Sequence, residues 1–173
     1  MSENKDFEYV FPWEREPSSE KKDSYRNIKK LRKDWDSFFM GLVRYLGNQS
    51  PCLKKGVGAI LVKDRRILAE GYNGSPKGIP HCKSCARADE DLKSYSICPA
   101  VHAEVNCIAM CAQFGVSSKD SILYCEYFPC SPCCGVLINS GIKEIVYEKP
   151  PVDKNAMLLA LKAGILVRKW NSD

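Results

Sequence analysis

Two short stretches carry the side chains best suited to chemistry. In CPAVHAEVN, residues 98–106, one of only two histidines, His102, stands two residues before Glu104. In FPCSPCC, residues 128–134, Cys130 and Cys133 are three apart and follow Pro129. Both stretches read as helix starts. Two cysteines at this spacing can bring their sulfurs to one point across a first helical turn, and zinc takes nitrogen and sulfur ligands in a tetrahedron. Three protein ligands, His102, Cys130 and Cys133, leave the fourth position open, which is the arrangement of a catalytic site and not of a structural one. Helix N-termini also put positive dipole ends near the thiolates. Glu104 need not bind the metal. It stands where it could take a proton from a metal-bound water, whose pKa falls from about 15.7 toward about 7, and hand it to a substrate. The plainer alternative is a core histidine with two buried thiols. The order of the two motifs, both at helix starts, counts against it.

A second group of cysteines lies elsewhere. Cys82 and Cys85 form HCKSC, Cys98 stands just before the His102 helix, and Cys52 precedes the first strand in SPCLKKGVGA. The polar segment from His81 to Pro99 has no clear period and little material for a core. A closed, structural zinc site of Cys82, Cys85 and Cys98 would staple it to the body, with Cys52 as fourth ligand and His81 as the rival for that place. The plainer reading is reduced loop cysteines. Cys107, Cys111, Cys125 and Cys134 read as packing.

The elements that must position these groups follow from periodicity. DWDSFFMGLVRYLG is a helix, with Trp35, Phe38, Phe39, Leu42, Val43 and Leu46 at helical spacing and Gly47 at its end. VGAILV and RILAEGY are strands joined by a tight turn at KDR, and GYNGSPKGIP is loop. A helix is expected from about His102 to Phe114 with Gly115 as its stop. SILYCEY is a strand, CSPCCGVLINSG a turn and helix ending at Gly141, KEIVYE a strand, residues 153–163 a helix and ILVRKW a strand. Alternation of strand and helix in the second half implies parallel pairs with crossover helices. The expected architecture is α/β, a three-layer α/β/α domain over residues 34–173 with a mixed sheet of about five strands.

Bulk properties narrow the classes. At 173 residues, 45% apolar and 27% charged, the chain fits one soluble globular domain. No run is long and apolar enough to cross a membrane. MSENKDFEYVFPWERE has no apolar h-region, so no secretory signal is read and a cytoplasmic location is expected. In a reducing compartment the ten cysteines are then thiols or metal ligands, not a disulfide framework. Residues 1–33 read as a charged, flexible arm, with an oligomer clamp or anion-binding tail as the sharper alternative. The net charge of +5 suits an anionic partner such as a nucleotide but is weak as an argument for nucleic acid.

His102-Ala-Glu104 followed by Pro129-Cys130-x-x-Cys133 resembles the zinc-dependent nucleobase deaminase signature. GYNGSPKG at 71–78, the Cys82, Cys85 and Cys98 set before VHAEVN, SPCLKKGVGAILVKDRRILAEGYNGSP and SGIKEIVYE are similar to deoxycytidylate (dCMP) deaminases, closest to the microbial and phage type with an extra structural zinc. The resemblance covers roughly residues 34–170. It implies a cytidine-deaminase-like fold, hydrolytic deamination of dCMP to dUMP with supply of dUMP for dTMP synthesis, a catalytic and a structural Zn2+, and Glu104 as the proton shuttle. It also implies Asn73 as a contact to the nucleotide sugar, a homo-oligomer (commonly a hexamer), and dCTP and dTTP as allosteric effectors. Two positions depart. Gln49 stands where many members have arginine, and Pro151 where most have a tyrosine, both near the nucleotide phosphate in the family. Lys54, Lys55, Lys77 and Lys149 are candidates to supply the charge. Phe128 either packs near the base or is an ordinary core residue. A tRNA or other polynucleotide deaminase on the same zinc core, and a non-catalytic zinc subunit with this fold, are the alternatives.

Overall fold

The computed structural model describes residues 18, 34–85, 87 and 98–171. The chain divides into units 1–34 and 35–173, and every element below belongs to the second. The charged arm expected over residues 1–33 lies, apart from Ser18, outside the described residues. Among the described residues there are four helices, α1 (Trp35–Gly47), α2 (Ala103–Phe114), α3 (Ser131–Asn139) and α4 (Lys154–Lys162). Five strands accompany them, β1 (Gly58–Lys63), β2 (Arg66–Tyr72), β3 (Ile122–Tyr127), β4 (Glu144–Lys149) and β5 (Leu166–Lys169).

The strands form one sheet in the order β2-β1-β3-β4-β5. β1 runs antiparallel to both β2 and β3, while β3–β4 and β4–β5 are parallel. The β1–β2 hairpin turns on Asp64 and Arg65, both with positive φ (50° and 62°), a two-residue geometry whose twist matches that of the strands it joins. The parallel pairs require crossovers, and α3 and α4 supply them.

Side-chain alternation sorts the strands onto two apolar faces. Ile60, Val62, Tyr124 and Val146 pack against Phe39, Met40 and Val43 of α1. Ala59, Leu61, Leu123, Cys125 and Ile145 point to the other face, where α2, α3 and α4 bury Cys107, Leu137 and Ala160. The result is the expected α/β/α sandwich with a mixed five-stranded sheet. Covering both faces explains why GAILV and Ile145–Tyr147 read as continuous apolar runs with no polar alternation. Each fully buried Leu or Ile here contributes about 1.5–3 kcal/mol.

Phe38 shares the helical spacing of α1 but is 45% exposed. The buried arc of α1 is Phe39, Met40, Val43 and Gly47. Phe38 sits at its rim, edge-on to Trp35 and Phe39.

Candidate active site

Two helix starts build the centre of the site. Val101 pairs with Gly74 in an isolated antiparallel bridge, Val101 N donating to Gly74 O at 2.8 Å and Gly74 N to Val101 O at 3.1 Å. The bridge holds the GYNG loop beside the entry to α2. His102 follows in extended conformation as the N-cap of α2, and Glu104 is the second residue of the helix. Gly115, with φ 67°, ends it and returns its amide to Cys111 O, the left-handed stop that favours glycine. At the end of β3, Cys130 is the N-cap of α3, and Cys133 lies in its first turn with Pro132. Proline is tolerated there because a first-turn amide has no helical acceptor.

The three expected ligands converge. His102 Nδ1 lies 3.5 Å from Cys130 Sγ and 3.3 Å from Cys133 Sγ, and the two sulfurs are 3.5 Å apart. Zinc bonded at about 2.0–2.3 Å would space its tetrahedral ligands by roughly 3.5–3.8 Å, so the cluster matches the edge of such a tetrahedron to a few tenths of an ångström. Among the described residues, these three are the one group of three or more donors whose ligand atoms lie within 4.8 Å of one another.

The charges are arranged for a cation. The Cys133 sulfhydryl, and then His102, stabilise the Cys130 thiolate and bring its pKa down to about 4. Cys133 keeps its proton, pushed up by that shared hydrogen bond and by burial. The hydrogen bond to Cys130 raises His102. Glu104 is buried beside this cluster. Burial pushes its carboxyl up, against the pull of its backbone hydrogen bond, His102 and a hydrogen bond with Cys133. A carboxyl raised in this way can carry a proton between two steps of a reaction.

The remaining candidates divide. Burial raises the thiols of Cys107, Cys111, Cys125 and Cys134, and all four are core residues, as expected. Phe128 is also core, edge-on to Tyr147 with ring centroids 5.2 Å apart. Cys52, Cys82, Cys85, Cys98 and His81 line one cavity. Among the described residues no three of their donor atoms gather within 4.8 Å. The structure therefore brings them to one cavity and not to one point.

Asn73 has a structural task. Its Oδ1 accepts from Val57 N at 2.8 Å and Ser50 Oγ at 2.7 Å, and its Nδ2 donates to Lys55 O at 2.9 Å. One amide hydrogen remains beyond these bonds. Ser50 Oγ also lies 2.6 Å from Asn73 O, so its single hydroxyl hydrogen is shared between the two oxygens. Asn106 Nδ2 donates to Tyr72 O at 2.7 Å and ties α2 to the end of β2. Sequence reasoning passed over Ser50 and Asn106 as positioning residues, because one polar residue in a loop or helix carries no periodic signal. Lys54 turns away, its Nζ donating to Arg87 O at 2.9 Å.

A mixed α/β/α sheet with a His/Cys/Cys cluster at two helix starts and a buried glutamate beside it defines a zinc-binding deaminase domain. The chain belongs to that family: the model of the cytidine and deoxycytidylate deaminase zinc-binding region matches residues 33–149. The deoxycytidylate deaminase of Saccharomyces cerevisiae is 33% identical over 145 residues, covering 82% of this chain and 46% of the yeast protein. The chain thus spans about half the length of that relative. The deoxycytidylate deaminase of Mycobacterium phage D29 is 37% identical over 126 residues, 68% of this chain and 97% of the phage protein. The crystal structure of dCMP deaminase from cyanophage S-TIM5 in complex with dCMP and dUMP superposes with a TM-score of 0.67 at 26% identity, covering 90% of this chain and all of that one. No helix among the described residues is long and apolar enough to cross a membrane.

Proposed function

We propose that the protein hydrolyses dCMP to dUMP and ammonia. The observation that carries this reading is the convergence of His102, Cys130 and Cys133 to 3.3–3.5 Å with Glu104 buried beside them. The kinship with deoxycytidylate deaminases supports the choice of substrate. His102 and the two thiolates would hold zinc, which when bound acidifies a water at its open position. Glu104 accepts the proton of that water and delivers it to ring N3 of cytosine. As oxygen adds at C4, a second proton passes through Glu104 to the amino group, which leaves as ammonia while the C4 carbonyl of uracil forms. The remaining N–H of Asn73 faces the sugar. Residues 34–173 form the deaminase domain, and 1–33 a charged arm.

A second, structural zinc held by Cys82, Cys85, Cys98 and Cys52, with His81 as the rival fourth ligand, is supported by the cavity these residues share. The enzyme works in the cytoplasm as a homo-oligomer, the hexamer being the form that family resemblance favours, with dCTP and dTTP as effectors. The test is ammonia release by the zinc-loaded protein on dCMP, CMP, deoxycytidine, cytosine and a tRNA mixture in parallel. A strong preference for dCMP bears out the reading. Turnover confined to deoxycytidine, cytosine or tRNA overturns it.

A further inference from the structure

α3 carries two of the three metal donors, and its start is held by a group with no part in the chemistry above. Cys130 is the N-cap of α3 and Cys133 lies in its first turn. Their sulfurs meet in the cluster, so the side chain that ordinarily caps a helix is committed elsewhere. Ser131 stands between them and donates its hydroxyl to Asp153 Oδ2, in a partly buried bond across 22 positions of chain. Asp153 is also the N-cap of α4, where its other oxygen, Oδ1, accepts from Asn155 N at 2.9 Å. One carboxylate thus serves two helix starts, where an anion is favoured. The Ser131 hydroxyl foremost, then the Asn155 amide and the amides of Ser131 and Ala156, hold the Asp153 carboxyl below its usual range. Just upstream, Phe128 N donates to Lys149 O at 3.0 Å. Only Pro129 and Cys130 separate that tie from Ser131, so Cys130 is pinned on both sides. Helix ends fray, and a metal site requires its bond lengths to within about 0.2 Å.

We propose that Asp153 is a positioning residue of the metal centre: through the Ser131 hydroxyl it fixes the start of α3, so that Cys130 and Cys133 meet His102 at the spacing zinc requires. The inference rests on the zinc reading above and adds a residue outside the set of ligands. A hydroxyl that donates to a carboxylate makes a charge-assisted bond, stronger than a neutral one, and this one joins α3 to α4 at the turn where the ligands stand. Serine at position 153 still caps α4, but it has one oxygen in place of two and does not serve both helix starts. Threonine at position 131 keeps the hydroxyl, and alanine removes it.

The test measures zinc affinity, by competition with a chromophoric chelator, and the absorption spectrum of the cobalt(II)-loaded protein. The proteins are wild type, Ser131→Ala, Asp153→Ser, the double variant and Ser131→Thr, with Cys130→Ser as the reference whose cluster is broken. Apoprotein melting temperature is recorded for each. Zinc affinity falls about 10- to 100-fold in Ser131→Ala and in Asp153→Ser, and the cobalt bands of both change alike. The double variant loses no more than the more affected single, because both changes remove one contact. Ser131→Thr keeps the wild-type affinity. Ser131→Ala leaves the cap of α4 in place, so it decides the matter even if Asp153→Ser melts early. Wild-type affinity and spectrum in a folded Ser131→Ala overturn the positioning role and leave the zinc reading standing, as do losses that simply add in the double variant. A wild type that binds no more zinc than Cys130→Ser overturns both.

Discussion

Replacing Gly71 with alanine tests whether the sheet sets the position of the metal-binding helix. Gly71 lies in β2 directly under the start of α2. A Cβ added there would stand 2.5 Å from Ala103 O, 3.1 Å from Asn106 Cβ and 3.1 Å from Cys107 N. Ordinary contact begins at 3.4 Å, so the worst pair falls short by about 0.9 Å. Its partner is backbone and cannot rotate away, so strand or helix must move by most of that distance. Overpacking of this kind costs about 1–3 kcal/mol, which in a chain of this size lowers the melting temperature by roughly 2–12 °C. Ala103 stands between His102 and Glu104, so the displacement reaches both. A shift near 1 Å at reacting groups costs about 100-fold in rate. The control is Gly135→Ala in α3, where nothing lies within 4 Å of the added Cβ and the same change raises stability by about 0.5–1 kcal/mol through helix propensity. Melting curves, bound zinc and turnover of dCMP are measured on both variants. Gly71→Ala that melts and turns over like wild type refutes the argument that this close approach positions α2.

Three further outcomes follow from the same geometry. Glu104→Gln keeps its zinc by metal analysis and loses about 100- to 10,000-fold in kcat, since it removes the proton carrier alone; near-normal turnover would sink its assignment. If the second cysteine group holds metal, wild type carries two zinc ions per chain and Cys85→Ser one, with an earlier onset of proteolysis in the 81–99 segment; one zinc in both rules the site out. Arg44 donates to Glu148 through both Nε, at 3.1 Å, and Nη2, at 2.7 Å, and holds that carboxyl below the usual carboxylate range. A depressed folded pKa gives stability that is present above the ordinary carboxylate pKa and lost as pH falls through the folded value. Because Arg44 is 43% exposed, solvent screening limits the pair to less than about 1 kcal/mol. Denaturant titrations of Glu148→Gln should show that small deficit at pH 7 and its decline as the pH falls through the folded value; a deficit that does not change with pH would show that packing, not charge, is responsible.

The parts legible in the sequence were those fixed by short-range rules. Helix positions followed from periodicity, and strand positions from short apolar runs, because both faces of the sheet are covered. The turn at KDR followed from the two apolar runs it separates, and the stop at Gly115 and the helix start at Cys130 from backbone preferences. The metal cluster was legible because cysteines at i and i+3 in a first turn and a histidine at another helix start have few other ways to be used. What stayed hidden depends on meetings between distant segments. Nothing in the local pattern of LKKGV distinguishes Lys54, turned to the carbonyl of Arg87, from Lys55, set on a tyrosine 72 positions later. The same holds for Asn73. Its place beside glycines suggests a turn, and its closure of the 50–57 segment appears only once Ser50, Lys55 and Val57 surround it. Phe38 shows the converse, because helical spacing identifies an apolar arc but not where its rim meets solvent.

That closure explains why the GYNG loop and the candidate metal centre are built as one unit. The Asn73 amide fastens the 50–57 segment to the GYNG loop, the Gly74–Val101 bridge fastens the loop to the entry of α2, and the Asn106 amide fastens α2 back to β2. Burial and the hydrogen bond shared with Cys130 push the Cys133 thiol up, and burial pushes the Glu104 carboxyl up, so both groups lean toward the protonated form. A divalent cation reverses that preference at the sulfurs, because thiolates and not thiols are its ligands. Zinc uptake therefore displaces a proton from a site whose backbone is already fixed. Burial pushes the Glu104 carboxyl up, while a cation held at the cluster would pull it down. The same burial that makes this carboxylate unfavourable in the fold fits it to carry a proton.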